Sequence, residues 1–147
     1  PKPSSAASDV YKRESMGLAL HHVDPSIILA ATTEVGMFRS TDGGKTWSEP
    51  HNIGVWGLPS HLLRLEDGRL LMSYGHRRKP FGNQARVSDD HGKSWSEPVI
   101  ISGDGAGGDL GYPTTVQLDD DSLVTVWYEK MAGSTLAVLR QAHWKLG

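Results

Sequence analysis

The chain has 147 residues, a net charge of -2 and no cysteine. Its length is sufficient for one ordinary hydrophobic core, and its charge argues against a general nucleic-acid or membrane-surface binder. The lack of cysteine excludes disulfides and thiolate sites, and no apolar run reaches the roughly 20 residues that span a bilayer. The predicted elements are strands throughout, because no segment shows the 3.6-residue period of an amphipathic helix.

The chain begins with a tail, residues 1–9, that has neither an initiator Met nor the apolar core of a signal peptide, which indicates trimming or processing. The first unit, residues 10–54, is predicted to contain strands Gly17–Leu20 and Ile27–Ala31. Pro25 lies between these strands and fits a turn, because its fixed φ presets the bend.

The second unit, residues 55–102, repeats this order with strands at His61–Leu65 and Arg69–Tyr74. Asp67-Gly68 separates the two runs, and an Asp-Gly between apolar runs is a strong hairpin signal.

The third unit, residues 103–147, places strands at Thr114–Leu118 and Leu123–Tyr128 around the acidic turn Asp119–Asp121. We therefore expect three four-stranded units of antiparallel sheet.

An internal repeat links the first two units. Ser40–Pro50 returns as Ser88–Pro98 with eight of eleven residues identical, and the two copies lie 48 positions apart. A fixed period of about 20 to 50 residues is typical of stacked supersecondary units. In each copy the carboxylate can accept backbone hydrogen bonds, the glycine permits positive φ, and the tryptophan can cover the turn. The residues that share these structural roles are Asp42, Gly44 and Trp47, and Asp90, Gly92 and Trp95.

The pattern S-x-D-x-G-x-x-W in these copies resembles the Asp boxes, or BNR repeats, of the sialidase (neuraminidase) superfamily. The resemblance implies an all-β, sialidase-like β-propeller, in which the three units are blades at residues 10–54, 55–102 and 103–147. The propeller of that family has six blades, so the chain would supply half of a ring. Asp boxes also occur in propellers that are not enzymes, so fold and function are separate questions.

A second resemblance concerns chemistry. Gly111–Leu118 followed by Val124–Glu129 is similar to the last blade of sialidases, where the tyrosine matching Tyr112 is the nucleophile. A neutral phenol suits this task because sialic acid carries a carboxylate on its anomeric carbon, which would repel an attacking Asp or Glu. The glutamate matching Glu129 orients an arginine of the first blade, a partner that this chain is expected to lack.

The family grips the carboxylate of the sugar with arginines. In a propeller, the loops before the first strand and after the second strand of each blade open on one side. Arg77 and Arg78 are the candidates for contacting an anion there. The other polar or aromatic groups expected at this side are Trp56, His61, His76 and Asp109.

Several features depart from the family pattern. Arg13 is not followed by Ile-Pro, Asn83-Gln84 stands where relatives place an arginine, and Pro113 follows Tyr112. Neither the acid/base aspartate nor the glutamate that activates the tyrosine can be assigned. Tyr112 could simply fill the mouth of the channel, and Arg77 and Arg78 could be a solvated pair.

The leading hypothesis is therefore a sialidase-like glycoside hydrolase that acts on the terminal acidic sugars of glycans. The alternative is a non-catalytic propeller module that binds glycans or protein. No cofactor is expected, and no metal either, because the adjacent His21 and His22 would point to opposite faces of a strand. Neither nucleic acid nor membrane is an expected partner.

The family resemblance favours a secreted or periplasmic location. Two copies related by a two-fold axis could close a six-bladed ring as a homodimer, with Val10–Lys12 supplying an outer strand to the third blade.

Overall fold

The computed structural model describes residues 15–20, 24–32 and 36–147, and in these ranges all the regular secondary structure is β-strand. The strands are β1 (Ser15–Leu20), β2 (Ile28–Thr32), β3 (Met37–Ser40), β4 (Ser60–Arg64), β5 (Leu70–His76), β6 (Gly82–Ser88), β7 (Val99–Ser102), β8 (Leu110–Gln117), β9 (Leu123–Lys130) and β10 (Ala137–Trp144). No helix in the described part of the chain is long and apolar enough to cross a membrane.

The strands form three antiparallel sheets in chain order, which we call the first, second and third sheets. Their strand orders are β1-β2-β3, β4-β5-β6-β7 and β8-β9-β10. The predicted fold class, an all-β protein of the sialidase-like propeller type, is confirmed. Strands β1, β4 and β8 are each the first strand of a sheet, and β4 contacts both β1 and β8, so these strands lie side by side.

The second sheet has the four strands expected of each unit, whereas the first and third have three within the described residues. In the first sheet, a single bridge between Met37 and His51 lies where an outer strand would run. The predictions that concern residues 1–9, Val10–Lys12, Arg13, His21 and His22 fall outside the described residues.

The predicted hairpins close with local hydrogen bonds. Ile27 N–H donates to the carbonyl of Asp24 at 3.1 Å, and Gly68 N–H donates to the carbonyl of Leu65 at 3.0 Å. Asp121, at a φ of 63°, closes the third turn, with its N–H donating to the carbonyl of Leu118 at 3.0 Å. Each turn therefore satisfies its backbone within a few residues, as its sequence predicts.

The core is built on strand β5, which is buried along nearly its whole length. Because successive side chains of a strand point to opposite faces, Leu70, Met72 and Tyr74 pack toward the first sheet. Leu71 points the other way and packs with Leu123 of the third sheet. The second sheet is thus covered on both faces, and it holds the other two sheets together.

Polar groups also cross the contact between the second and third sheets. Thr115 donates through its hydroxyl to Ser73 at 2.9 Å and lies 2.9 Å from the hydroxyl of Thr125. Trp144 Nε1 donates to the same Thr125 hydroxyl at 3.0 Å. These three hydroxyl side chains are fully buried, and their mutual hydrogen bonds offset the cost of removing them from water.

The first repeat copy forms a compact loop around one carboxylate. Asp42 accepts hydrogen bonds from the hydroxyl of Ser40 at 2.8 Å and from both the N–H and the hydroxyl of Thr46, at 2.9 and 2.6 Å. The hydroxyl of Ser40 in turn accepts from Gly44 N–H, and Trp47 Nε1 donates to the carbonyl of Gly44. The hydrogen bonds from Thr46 lead those that lower the pKa of Asp42 to about 2.

The second copy repeats the hydrogen bonds around the carboxylate, but Trp95 Nε1, unlike Trp47 Nε1, is buried without an acceptor. Asp90 accepts from the hydroxyl of Ser88 at 2.8 Å, from Lys93 N–H at 2.9 Å, and from the N–H and hydroxyl of Ser94 at 2.9 and 2.6 Å. The bonds from Ser94 contribute most to lowering the pKa of Asp90. Gly92 packs against the first sheet, where an added Cβ would lie 3.0 Å from Leu29. The two carboxylates thus accept hydrogen bonds from the backbone of their own loops, which is the structural role that the sequence predicts.

Among the described residues, the third sheet is covered by other strands on only one side. Leu123 and Trp127 are buried toward the second sheet, while Val116 and Val126 alternate with buried residues and face away from it. Leu139 of β10 is also exposed. Leu139 is 79% exposed and Val116 48% exposed. An apolar sheet face of this kind is what an additional layer of protein would cover. Closure by a second copy stays a prediction.

We expect Asp90→Asn to lower the melting temperature at neutral pH, because asparagine loses the charge and one acceptor oxygen. The folded-state pKa of Asp90 is below its ordinary 3.8, so its stabilising effect is present above pH 3.8 and is lost as the pH falls through the folded-state value. The difference in unfolding free energy between wild type and variant should therefore shrink below about pH 4, as measured by urea denaturation. Asp89→Asn, at the exposed neighbouring carboxylate, is the matched control. An unchanged difference down to pH 2 would contradict this assignment.

Candidate functional site

The candidate site lies at one end of the second and third sheets, which we call the upper end. It is formed where β5 and β9 finish and where β4 and β8 begin. The sheets approach closely here, because a Cβ added to Gly75 would lie 3.1 Å from the Cα of Gly111 and 2.9 Å from the carbonyl oxygen of Leu58. The absence of a side chain at Gly75 brings the loops of two sheets together.

Tyr112 lies at the head of β8 in an irregular stretch of the strand. The register of β8 against β9 shifts between Gly111 and Thr114, so β8 contains one extra residue there. Tyr112 has a φ of 53°, which is uncommon for a residue with a side chain, and it is 60% exposed. Backbone conformations of this kind concentrate at functional sites, so the bulge is a reason to examine the residues around it.

A cluster of polar and aromatic groups surrounds Tyr112. Its ring lies 5.7 Å from the ring of Tyr128, measured between centroids, and the hydroxyl of Tyr128 donates to Asp109 Oδ1 at 2.7 Å. That hydrogen bond is the first cause of a raised pKa of Tyr128, and burial adds to it. Arg77 Nε donates to the carbonyl of Leu110 at 3.0 Å, which holds the guanidinium next to Gly111 and close enough to Tyr128 for its charge to oppose the rise of that pKa. Arg77, Asp109 and Tyr112, predicted as site residues, are therefore brought together.

Arg78 and His76 belong to a second cluster, centred on Trp56. The guanidinium carbon of Arg78 lies 3.9 Å above the centroid of the Trp56 ring, in a cation–π contact. His76 meets the same indole edge-on, with centroids 6.0 Å apart, and its Nδ1 lies 3.1 Å from the carbonyl oxygen of Pro80. Because a carbonyl only accepts, Nδ1 carries a proton there. The two adjacent arginines thus contact different groups, Arg77 the carbonyl of Leu110 and Arg78 the indole of Trp56.

His61 takes part in the contact between the second and third sheets. Its Nδ1 accepts a hydrogen bond from Thr115 N–H at 3.3 Å, which assigns the neutral tautomer protonated on Nε2. Burial lowers the pKa of His61, in keeping with this neutral form. Thr115 follows Tyr112 by three positions along β8, so His61 lies further down the strand than the Tyr112 cluster.

Glu129 is buried and paired within its own sheet. Its Oε2 accepts from Trp127 Nε1 at 3.0 Å and from Arg140 at 2.9 Å, and its side chain is 1% exposed. Arg140 also contacts the exposed Asp104 through two hydrogen bonds, which lead the causes of its raised pKa. Glu129 therefore has an arginine partner in this chain, Arg140 of β10.

Sequence reasoning missed Arg140 and Tyr128. Arg140 is opposite Trp127 in the register of β9 and β10, a pairing that only the fold defines. The signal in the sequence was weak: an arginine between Leu139 and Gln141, directly after the apolar run Ala137–Leu139. Tyr128 had been assigned only to a strand. In the described part of the chain, no group of three or more His, Cys, Asp or Glu side chains could hold a metal ion.

The fold and the paired Ser-Asp-Gly-Trp loops define a protein of the sialidase-like class, built from antiparallel blades. The chain belongs to the BNR repeat-like domain family, whose model matches residues 11–141. Among solved structures, it is similar to a protein of unknown function from Dyadobacter fermentans DSM 18053, with 32% identity and a TM-score of 0.70. The match covers 82% of this chain and 35% of that chain, so this chain spans about a third of that protein's length. No curated protein matches.

We expect Arg140→Met to cost about 3–5 kcal/mol of unfolding free energy, because it leaves the carboxylate of Glu129 buried without its cation. Asp104→Asn should cost less than about 1 kcal/mol, since Asp104 is exposed. The double variant Glu129→Leu/Arg140→Met should recover much of the loss, because no charge is then left buried. Urea denaturation measures all three. Equal losses in Arg140→Met and Asp104→Asn would show that the buried pair is not the important contact.

Proposed function

We propose that the upper end binds the terminal acidic sugar of a glycan. The observation that carries this proposal is the position of Arg77 at Leu110 and Gly111, the two residues that precede Tyr112. The hydrogen bond from its Nε to the carbonyl of Leu110 fixes the guanidinium. One terminal nitrogen of Arg77 lies 3.4 Å from where a Cβ on Gly111 would be. The terminal N–H groups of such an anchored guanidinium suit the two oxygens of a carboxylate.

The tyrosines add the second element of sugar recognition. The exposed ring and hydroxyl of Tyr112 can contact both the carbon skeleton and the hydroxyl groups of a sugar. One oxygen of the Asp109 carboxylate, Oδ1, already accepts a hydrogen bond from the hydroxyl of Tyr128, so this oxygen is not free to pair with Arg77. The glycine at 111 keeps the approach to Arg77 free of a side chain. The cluster therefore combines one anchored cation with an accessible aromatic hydroxyl.

The more specific candidate is a sialidase-like glycoside hydrolase of the exo-sialidase type, with Tyr112 as the attacking group. Its support is the exposed phenol at the head of a first strand, together with membership in a family related to sialidases. A phenol avoids the repulsion that a carboxylate nucleophile would meet at an acidic sugar. Glu129 would then act as a positioning residue through Arg140 rather than by contact with the substrate.

A non-catalytic binding module is the alternative, and the pairing of the two nearby carboxylates favours it. A phenol needs a proton acceptor to become a nucleophile. Within the described residues, Asp109 bonds to Tyr128 and Glu129 bonds to Trp127 and Arg140, and neither carboxylate is bonded to the hydroxyl of Tyr112. Recognition of the acidic sugar is common to both candidates, and turnover distinguishes them.

For binding, we expect Arg77→Gln to weaken the affinity for N-acetylneuraminic acid by about 10-fold to 100-fold, as the loss of a charge-assisted hydrogen bond predicts. Titration calorimetry measures the dissociation constant. Arg69→Gln is the matched control, because Arg69 directly precedes β5, at the end of the strand opposite to Arg77, and pairs with Asp67. Equal affinities for Arg77→Gln and wild type would refute the anion site.

For turnover, wild type should release the fluorophore from a fluorogenic sialoside, and Tyr112→Phe should not, if the hydrolase candidate is correct. The phenylalanine variant keeps the ring but lacks the hydroxyl, so its affinity for the free sugar should change by less than about tenfold. No turnover by either variant, with binding retained by both, would establish the binding module instead.

A further inference from the structure

Trp56 and Arg78 form a platform that neither the Tyr112 cluster nor the family assignment accounts for. Trp56 precedes β4, in the segment that joins the first and second sheets, and it is 41% exposed. Arg78 covers part of one indole face at 3.9 Å. A tryptophan that remains this exposed, beside a cation that stacks on it, has surface left for another flat or weakly polar ring.

The platform is held rigidly by the loop beneath it. A Cβ at Gly57 would lie 2.1 Å from the ring of Tyr74, so only glycine permits this approach. Leu58 N–H donates to the carbonyl of Gly75 at 3.1 Å. Tyr74 is itself fixed, since its hydroxyl donates to Gln84 at 3.0 Å and accepts from Arg86 at 3.3 Å. A preorganised aromatic surface of this kind loses little conformational entropy on binding.

A cavity of about 320 Å³ adjoins the platform between the first and second sheets. Trp56 contributes to its wall, which combines apolar groups such as Val55 and Met72 with polar ones such as Asn52 and Ser60. This volume lies at the lower limit of small-molecule sites, which is the size range of a single sugar ring. The mixed wall suits a ligand that has both C–H surface and hydroxyl groups.

Arg78 supplies the polar contacts for such a ring. Its guanidinium carbon lies 3.9 Å from the centroid of the Trp56 ring, and a guanidinium in such a contact keeps N–H donors around its edge. Within the described residues, no hydrogen-bond acceptor is assigned to Arg78. These N–H groups can therefore donate to the hydroxyl oxygens of a ring placed beside the indole.

We infer that the Trp56–Arg78 platform is a second sugar subsite, which takes the neutral sugar next to the terminal acidic one. Arg77 and Arg78 are consecutive, so the two clusters lie within reach of one oligosaccharide. Arg77 turns toward Leu110 of the third sheet, whereas Arg78 turns toward Trp56 at the first and second sheets. This inference rests on the proposed function, because the acidic sugar at Arg77 sets the position of the next one.

The test compares free N-acetylneuraminic acid with sialyllactose by titration calorimetry on the 147-residue chain. Wild type should bind sialyllactose about tenfold more tightly than the free sugar. Trp56→Ala and Arg78→Gln should each remove this advantage while leaving the affinity for the free sugar unchanged. Arg77→Gln should weaken both ligands by the same factor. Trp47→Phe, in the first Asp box, is the control for a tryptophan elsewhere, and circular dichroism checks that every variant is folded.

The outcomes separate the two proposals. Equal affinities of wild type for both ligands, or an advantage that survives in Arg78→Gln, would overturn the second subsite while leaving the acidic-sugar site in place. Absence of binding to either ligand would overturn the proposed function and this inference with it. If Trp56→Ala fails to fold, Arg78→Gln still tests the second subsite, because it changes only an exposed side chain.

Discussion

The burial of strand β5 on both faces is the constraint on which the rest of the structure depends. Its side chains alternate, with Met72 and Tyr74 packed toward the first sheet and Leu71 toward the third. Burying apolar surface contributes about 25 cal/mol per Å², so a strand covered on both faces fixes its neighbours strongly. The positions of the outer sheets, and of the loops at the upper end, follow from this packing.

The two Asp boxes stabilise local turns rather than the packing between sheets. The hydrogen bonds that their carboxylates accept join residues at most four positions apart, as in the bonds that Asp42 accepts from Ser40 and Thr46. These carboxylate bonds need no partner sheet, although the carbonyl of Lys93 in the second box also lies 2.9 Å from His51 Nε2. The boxes therefore stabilise the turns that follow β3 and β6, while apolar packing sets how the sheets meet.

At the upper end, the turn after β5 contributes one arginine to each of two clusters, around Tyr112 and around Trp56. Arg77 and Arg78 follow β5 directly, and consecutive side chains diverge as the chain leaves a strand. One arginine is anchored by the carbonyl of Leu110 and the other by the indole of Trp56. The glycine at 75 makes both contacts possible, because it lets the loops from neighbouring sheets approach its backbone. The third sheet contributes Tyr112 and Tyr128 from the other side.

The sequence by itself determined the features that are local. The hairpins, the box loops and the strand at β5 follow from residues close together in the chain, so the pattern of Gly68, Asp90 and Trp95 was sufficient to predict sheet and turn. Only the tertiary structure decided the partners. The pairing of Glu129 with Arg140 requires the register of two strands, and Tyr128 joins Tyr112 because a bulge shifts the head of β8. The different partners of Arg77 and Arg78 were likewise decided by the tertiary structure, because each contact depends on which sheet packs beside the end of β5.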